Sequence, residues 1–146
     1  MELEFRNGII EDKEWIFSLY VLTMKIHIEK TWGWNENFQR NVFNSNLHPT
    51  KFQIVSIDGV VVGVYLMVEK NDHLWLEMLL VYPEKQNTRI GTLIVDKLKK
   101  KSIDLMLPLK LSVIKVNPVI SFYEKMGFTI NSEDQDFYNL EWKANV

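Results

Sequence analysis

Apolar residues recur along this chain with two different periods, and their alternation lays out its elements. Residues 3–6 alternate as a short strand that Asn7-Gly8 breaks. Trp15, Leu19, Leu22 and Ile26 recur at helical spacing, which predicts a helix over residues 13–29 with Asp12 placed to cap it. A turn around Gly33 follows, then a second helix over 36–44 and a loop through Asn46 and His48-Pro-Thr50. Residues 51–57 and 60–69 are rich in β-branched residues and flank Asp58-Gly59, the signature of a two-residue type I′ hairpin turn. Asn71-Asp72 turns the chain into an apolar strand over 74–81. Ile90, Leu93, Ile94 and Leu98 then mark a helix over 89–102, and a strand over 107–116 follows. A helix over 117–126 ends at Gly127, a suitable residue just past a helix C-terminus. Residues 128–130 and 136–142 close the chain as a hairpin. The predicted order is β-α-α-β-β-β-α-β-α-β-β: an α/β (α+β) chain with a mixed, mostly antiparallel central sheet flanked by helices, forming one domain over 1–146.

Composition narrows the chemistry. The chain is 47% hydrophobic and 25% charged, ordinary for a soluble globular protein. Its net charge of −2 implies no general affinity for nucleic acid. No apolar run approaches the roughly 20 residues of a membrane-spanning helix, and the first residues carry no signal-peptide pattern. With no cysteine, disulfides, a thiolate nucleophile and cysteine-ligated zinc are all excluded. His27, His48 and His73 show no ligand spacing, so no metal is expected. Cytoplasmic location is the default expectation, no membrane partner is implied, and a homodimer stays open.

The segment between the strand at 74–81 and the next helix carries the strongest signal. Val81-Tyr-Pro83 ends the strand, and Gln86-Asn-Thr-Arg-Ile-Gly91 leads into the helix. A turn of this kind aims backbone N–H groups outward at the positive end of a helix dipole, which suits phosphate. A plain strand-turn-helix connection is the bland alternative. Downstream lies Asn117-Pro-Val-Ile-Ser-Phe-Tyr-Glu-Lys-Met-Gly-Phe128, where Asn117 can cap a helix with Pro118 in its first turn.

Together these segments resemble the GNAT-type acyl-CoA N-acyltransferases. The loop resembles that family's Gln/Arg-x-x-Gly-x-Gly/Ala coenzyme A loop preceded by Val-x-Pro, and the second segment is similar to its Asn-x-x-Ala…Tyr-Glu-Lys-x-Gly-Phe helix. Two departures stand out: Arg89 where glycine is usual, and Val119 or Ile120 where alanine is common. The resemblance implies an acetyl-CoA-dependent N-acetyltransferase acting on a primary amine of a small molecule, peptide or protein by direct attack in a ternary complex. A non-catalytic acyl-CoA sensor on the same fold is the alternative, kept alive by Arg89. A third is an interaction domain that uses no cofactor.

The resemblance also assigns roles. Gln86, Asn87, Thr88, Arg89, Ile90, Gly91 and Thr92 would hold the pyrophosphate. Leu79, Leu80 and Val81 would pair with the pantetheine arm and meet the oxyanion through a backbone N–H. Asn117 would also touch the arm, and Tyr123 would be the acid for the leaving thiolate. Glu77, the one charge in an otherwise apolar strand, is the candidate base or amine-binding group. Ser112 stands where some family members have a glutamate. Glu29, Trp32 and Trp34, with Glu36 nearby, fall in the acceptor region, and aromatics beside carboxylates suit a cationic amine. Each of these also has a structural reading: an edge glutamate, a core tyrosine, a helix corner filled by indoles. Lys97 and Lys99-Lys-Lys101 read as a solvated face at a helix C-terminus.

Overall fold

The structure is a computed structural model that describes residues 2–144. Strands β1 (Glu4–Asn7), β2 (Gln53–Ile57), β3 (Val60–Glu69), β4 (Leu74–Val81), β5 (Leu109–Ile114), β6 (Thr129–Glu133) and β7 (Phe137–Trp142) join in the order β1-β2-β3-β4-β5-β7-β6. Helices α1 (Lys13–Trp32), α2 (Glu36–Asn46), α3 (Ile90–Leu105) and α4 (Ile120–Lys125) complete the chain. The expected element order and the mixed, mostly antiparallel sheet are both present. The pairing of β4 with β5 is parallel and runs through Leu74–Leu109 and Trp75–Lys110. The other recorded pairings are antiparallel. Among the described residues, no helix is long and apolar enough to cross a membrane.

The chain divides into two compact units. The first comprises residues through Leu66 together with Met78–Thr88; the second comprises Met67–Glu77 and residues from Arg89 onward.

In the first unit, Asp58 (φ 50°) and Gly59 (φ 78°) make the expected turn with positive φ at both centres. The core gathers Ile16, Phe17 and Leu19 of α1, Phe43 of α2, and Phe52, Ile54 and Val55 around β2. Phe43 packs edge-on to Phe17 at 5.2 Å and stacks on Phe52 at 6.2 Å. The face predicted for α1 is rotated: Leu19 is buried, but Leu22 and Ile26 are more than half exposed, and Ile16, Phe17 and Ile28 take the core side. This helix is apolar around much of its circumference, so spacing alone did not choose its buried face.

The ends of these helices differ from expectation as well. α1 runs three residues further, to Trp32, before Gly33 (φ 86°) stops it. α2 runs to Asn46, started by Asn35, whose side chain accepts the Phe38 N–H at 2.9 Å. Asp12 does not cap α1. A 3-10 turn over Ile10–Asp12 precedes the helix, and the carboxylate reaches back to the Ile9 N–H (2.8 Å) and sideways to Arg6 (2.8 and 3.0 Å) and the Trp15 indole (2.8 Å).

In the second unit, α3 extends to Leu105 and stops at Met106, which is left-handed (φ 58°). Lys97 to Lys101 therefore lie inside the helix rather than at its end. α4 is shorter than predicted. Asn117 Oδ1 accepts the Val119 N–H at 3.0 Å, but the first turn is tight, with Ser121 N–H bonded to Pro118 O, and the α-helix proper begins at Ile120. At the other end, Gly127 (φ 95°) donates to Glu124 O and Phe128 to Tyr123 O, each at 3.0 Å. That double bond pattern is a Schellman stop and needs the positive φ that glycine accepts at no steric cost.

Candidate functional site

The site residues expected from sequence fall in both units. The first holds Leu79 to Val81, Gln86 to Thr88, Glu29, Trp32 and Trp34; the second holds Glu77, Arg89 to Thr92, Asn117 and Tyr123.

β4 ends at Val81, and Pro83–Lys85 forms a single 3-10 turn before the loop. Gln86 folds back, its side-chain amide donating to Val81 O at 3.1 Å, and the Thr88 hydroxyl donates to Lys85 O. Two residues of the loop are left-handed: Asn87 (φ 62°) and Arg89 (φ 72°). Alternation of this kind turns successive N–H groups to one side of the backbone. It also explains the glycine preference of the pattern at position 89: this backbone lies where an L side chain costs about 1 kcal/mol.

α3 starts immediately after Arg89 and carries no side-chain cap. Its first main-chain bond runs from Leu93 N–H to Arg89 O at 3.0 Å. Among the described residues, nothing accepts from the N–H groups of Ile90, Gly91 and Thr92. Ile90 is buried and anchors the turn, while Arg89 is exposed. Gly91 faces the α4 residue Phe122: a Cβ there would stand 3.3 Å from the ring's Cζ.

Tyr123 follows Phe122 on α4. Its ring is 6% exposed and packs edge-on to Phe122 (5.1 Å) and Phe128 (5.4 Å). Its hydroxyl has no hydrogen-bond partner among the described residues and is not sealed from solvent, since the fully enclosed unpaired side-chain atom among those residues is His27 Nδ1. Burial pushes this phenol well above its usual pKa, so it stays protonated throughout the working pH range.

Glu77 is exposed on β4 and accepts a hydrogen bond from the Trp75 indole two residues before it. Ser112 donates to the Asn139 side chain at 2.6 Å. On the other unit, an open cavity of about 420 Å³ is lined by Ile28, Trp32, Gly33, Trp34, Asn35, Phe38 and Gln39. Trp32 closes α1 and is half exposed. The Trp34 indole donates to Glu36 at 3.1 Å, and Lys25 lies 5.7 Å from its ring. Glu29 is exposed, and its carbonyl accepts the Gly33 N–H.

Sequence reasoning misjudged one residue here. Lys99 is not on a solvated face: it is half-buried, its ammonium donates to Met126 O, and it lies 5.0 Å from the Trp142 ring centre. Nothing local marks it, because its partners are 27 or more residues away. Among the described residues, no group of three or more His, Asp or Glu side chains is arranged to hold a metal ion.

No protein of curated function matches this chain. Among solved structures, PaiA N-acetyltransferase from Thermoplasma acidophilum in complex with coenzyme A is 21% identical, with TM-score 0.75, covering 99% of this chain and 100% of that one. The ribosomal-protein-S18-alanine N-acetyltransferase from Escherichia coli is 14% identical (TM-score 0.72; 99% and 96% covered). Naa20 of Chaetomium thermophilum, in complex with a bisubstrate analogue, is 17% identical (TM-score 0.63; 96% and 86% covered). At such identities these likenesses establish the fold. The family itself follows from a sequence-family model that matches residues 15–128, a span holding both the loop before α3 and all of α4: the chain belongs to the acetyltransferase (GNAT) family.

Proposed function

We propose that this protein is an acetyl-CoA-dependent N-acetyltransferase that delivers acetyl to a primary amine of a small molecule, peptide or protein, by direct attack in a ternary complex in the cytoplasm. The observation that carries this reading is the open start of α3. Its unpaired N–H groups and the left-handed residues before it suit a pyrophosphate. Bound acetyl-CoA would supply an activated thioester carbonyl.

The chain's own residues would do the rest. The N–H groups of Ile90, Gly91 and Thr92 hold the cofactor's phosphates, with Gln86 to Arg89 around them. Leu79 to Val81 align its arm by main-chain bonds, with Asn117 beside it. Tyr123 holds a proton ready for the leaving sulfur. A phenol has pKa about 10 and a thiol about 8.5, so outright transfer is uphill by roughly 2 kcal/mol, and burial steepens it. Tyr123 therefore works chiefly as a hydrogen-bond donor that stabilises developing thiolate charge. Glu77 takes the amine's proton, directly or through water. The cavity by Trp32 and Trp34, with Glu29 near it, receives the amine's body. Relatives on this fold have been captured with coenzyme A and with a bisubstrate analogue, which supports the assignment.

The test is free-thiol release from acetyl-CoA across a panel of small amines and peptides, alongside a thermal shift. Acetyl-CoA at 100 times its dissociation constant should add about 2.7 kcal/mol, several degrees in Tm. Binding without thiol release on any amine would favour the sensor reading, for which Arg89 in a left-handed position speaks. Absence of both would leave neither reading standing.

A further inference from the structure

We infer that Lys99 is a positioning residue for Tyr123, fixing α4 against α3 so that the phenol's place is set by the same helix whose start holds the phosphates. The inference rests on the role proposed for Tyr123.

α4 has six residues, far fewer than a helix needs to hold itself in water. Its placement therefore comes from what grips it. Midway along it, Phe122 lies against Gly91 in the first turn of α3. At its end, the Lys99 ammonium donates to the carbonyl of Met126, where α4 stops. Lys99 follows Gly91 by eight residues, about 12 Å along the helix axis. On α4 the two gripped residues, Phe122 and Met126, are one turn apart, about 6 Å, so α4 is held at two points rather than one.

The second grip has three members. The Lys99 ammonium lies over the Trp142 ring, 5.0 Å from its centre. Gly127 lies against the same ring, where a Cβ would be 3.4 Å from the indole nitrogen. The Phe128 N–H bonds Tyr123 O at 3.0 Å, which ties this end directly to the backbone of the tyrosine. A cation suits the place, since carbonyls at a helix end collect negative charge. A methionine would fill the same space without the cost of drawing an ammonium partly out of water. The charge is accounted for by the directional bond it makes, which packing alone does not supply.

The test compares Lys99→Met, Lys99→Arg and Lys100→Met, the last an exposed neighbour, in the parent protein and in Tyr123→Phe. Thiol release from acetyl-CoA is measured with whichever amine of the panel turns over fastest. Lys99→Met should lower kcat about ten-fold, less than the roughly 10²-fold that a misplacement of about 1 Å can cost, with KM for acetyl-CoA within about two-fold. Lys99→Arg should restore most of kcat, and Lys100→Met should leave it alone. In the Tyr123→Phe background Lys99→Met should have little further effect, because the group being positioned is gone. If Tyr123→Phe lowers kcat and Lys99→Met only lowers Tm, the inference is overturned and the tyrosine's role survives. If Tyr123→Phe leaves kcat intact, or no amine turns over, the reading beneath the inference falls and the inference falls with it.

Discussion

Two helices in this chain begin in opposite ways. The approach to α1 is saturated by the protein's own groups. One carboxylate, Asp12, takes the Ile9 N–H, both arms of the Arg6 guanidinium and the Trp15 indole, and it is 5% exposed. The approach to α3 is the reverse. Like α1 it has no side-chain cap, but it also has no acidic residue in its first turn, and an exposed arginine stands just before it. Every helix start presents the same unpaired donors and the same dipole. Where the chain supplies the anion itself, the start is a brace. Where it supplies none and adds a cation, the start is open to an anion from outside.

The largest effect should come from unmaking the brace. Asp12→Asn removes the charge that pairs with Arg6 and leaves the Ile9 N–H and the Trp15 indole competing for one oxygen. We expect a loss of about 2 kcal/mol at neutral pH, read as a fall in Tm of roughly 4–8 °C, with acetyl-CoA affinity unchanged. The Arg6 hydrogen bond holds the Asp12 carboxyl well below the usual carboxylate range. A lowered folded pKa contributes stability above the unfolded value, about 3.9, and that contribution is lost as pH falls through the folded value. The gap between parent and variant should be constant from pH 5 to 8, begin to narrow below about pH 4 and close only as pH passes the lowered folded value. A gap of the same size at pH 3 would show that shape, not charge, braces this start.

Next in size is a carboxylate brought to the open start. Thr92→Asp places an anion at the third position of α3, beside the free N–H groups. It should weaken acetyl-CoA binding by about ten-fold or more, measured by calorimetry at low salt, through repulsion of the phosphates. The same change should hold or raise Tm, since an acidic side chain in a first turn contributes about 0.3–1 kcal/mol. Thr92→Val, which keeps shape and main-chain donor, should bind as the parent does. Equal weakening in both variants would mean that the hydroxyl, rather than the charge balance of this helix start, governs binding.

The two starts were not equally legible in the sequence. The strand, turn and helix start at α3 could be read because they leave local marks: a proline ending a strand, polar turn residues, a glycine at fixed spacing. The element order was legible for the same kind of reason. Period-two and period-3.6 stretches alternate cleanly, and Asp58-Gly59 and Gly127 sit where positive φ is needed. The α1 approach misled, since Asp12 looks like an ordinary cap and its true partners depend on the 3-10 turn before it. The buried face of α1 was misread because Leu22 and Ile26 are as apolar as the residues that reach the core. Lys99 could not have been found at all, as a bond to a carbonyl 27 residues away leaves no periodic trace. Among the candidate site residues, the free Tyr123 hydroxyl and the handedness of Arg89 are facts of backbone and packing that residue names do not carry.

Arg89 sharpens the comparison with the smallest effect on stability. Glycine at this left-handed position would relieve about 1 kcal/mol of strain. It would also loosen the unfolded chain, which costs about 0.4–1 kcal/mol in the opposite sense. The two nearly cancel, so Tm of Arg89→Gly should stay within a degree or two of the parent. Binding is different. The side chain is exposed and bonds no acceptor among the described residues, which leaves its guanidinium available to a phosphate. A charged hydrogen bond is worth about 1.5–3 kcal/mol when well shielded; exposure and salt bring it toward or below the lower end. Removing it should weaken acetyl-CoA binding several-fold at low ionic strength and less at high. An unchanged Tm with weaker, salt-sensitive binding would make Arg89 part of the anion site, retained in spite of its strain. Binding at least ten-fold tighter in the glycine variant would show that the arginine obstructs the loop, and the open start of α3 would then belong to a sensor rather than an enzyme.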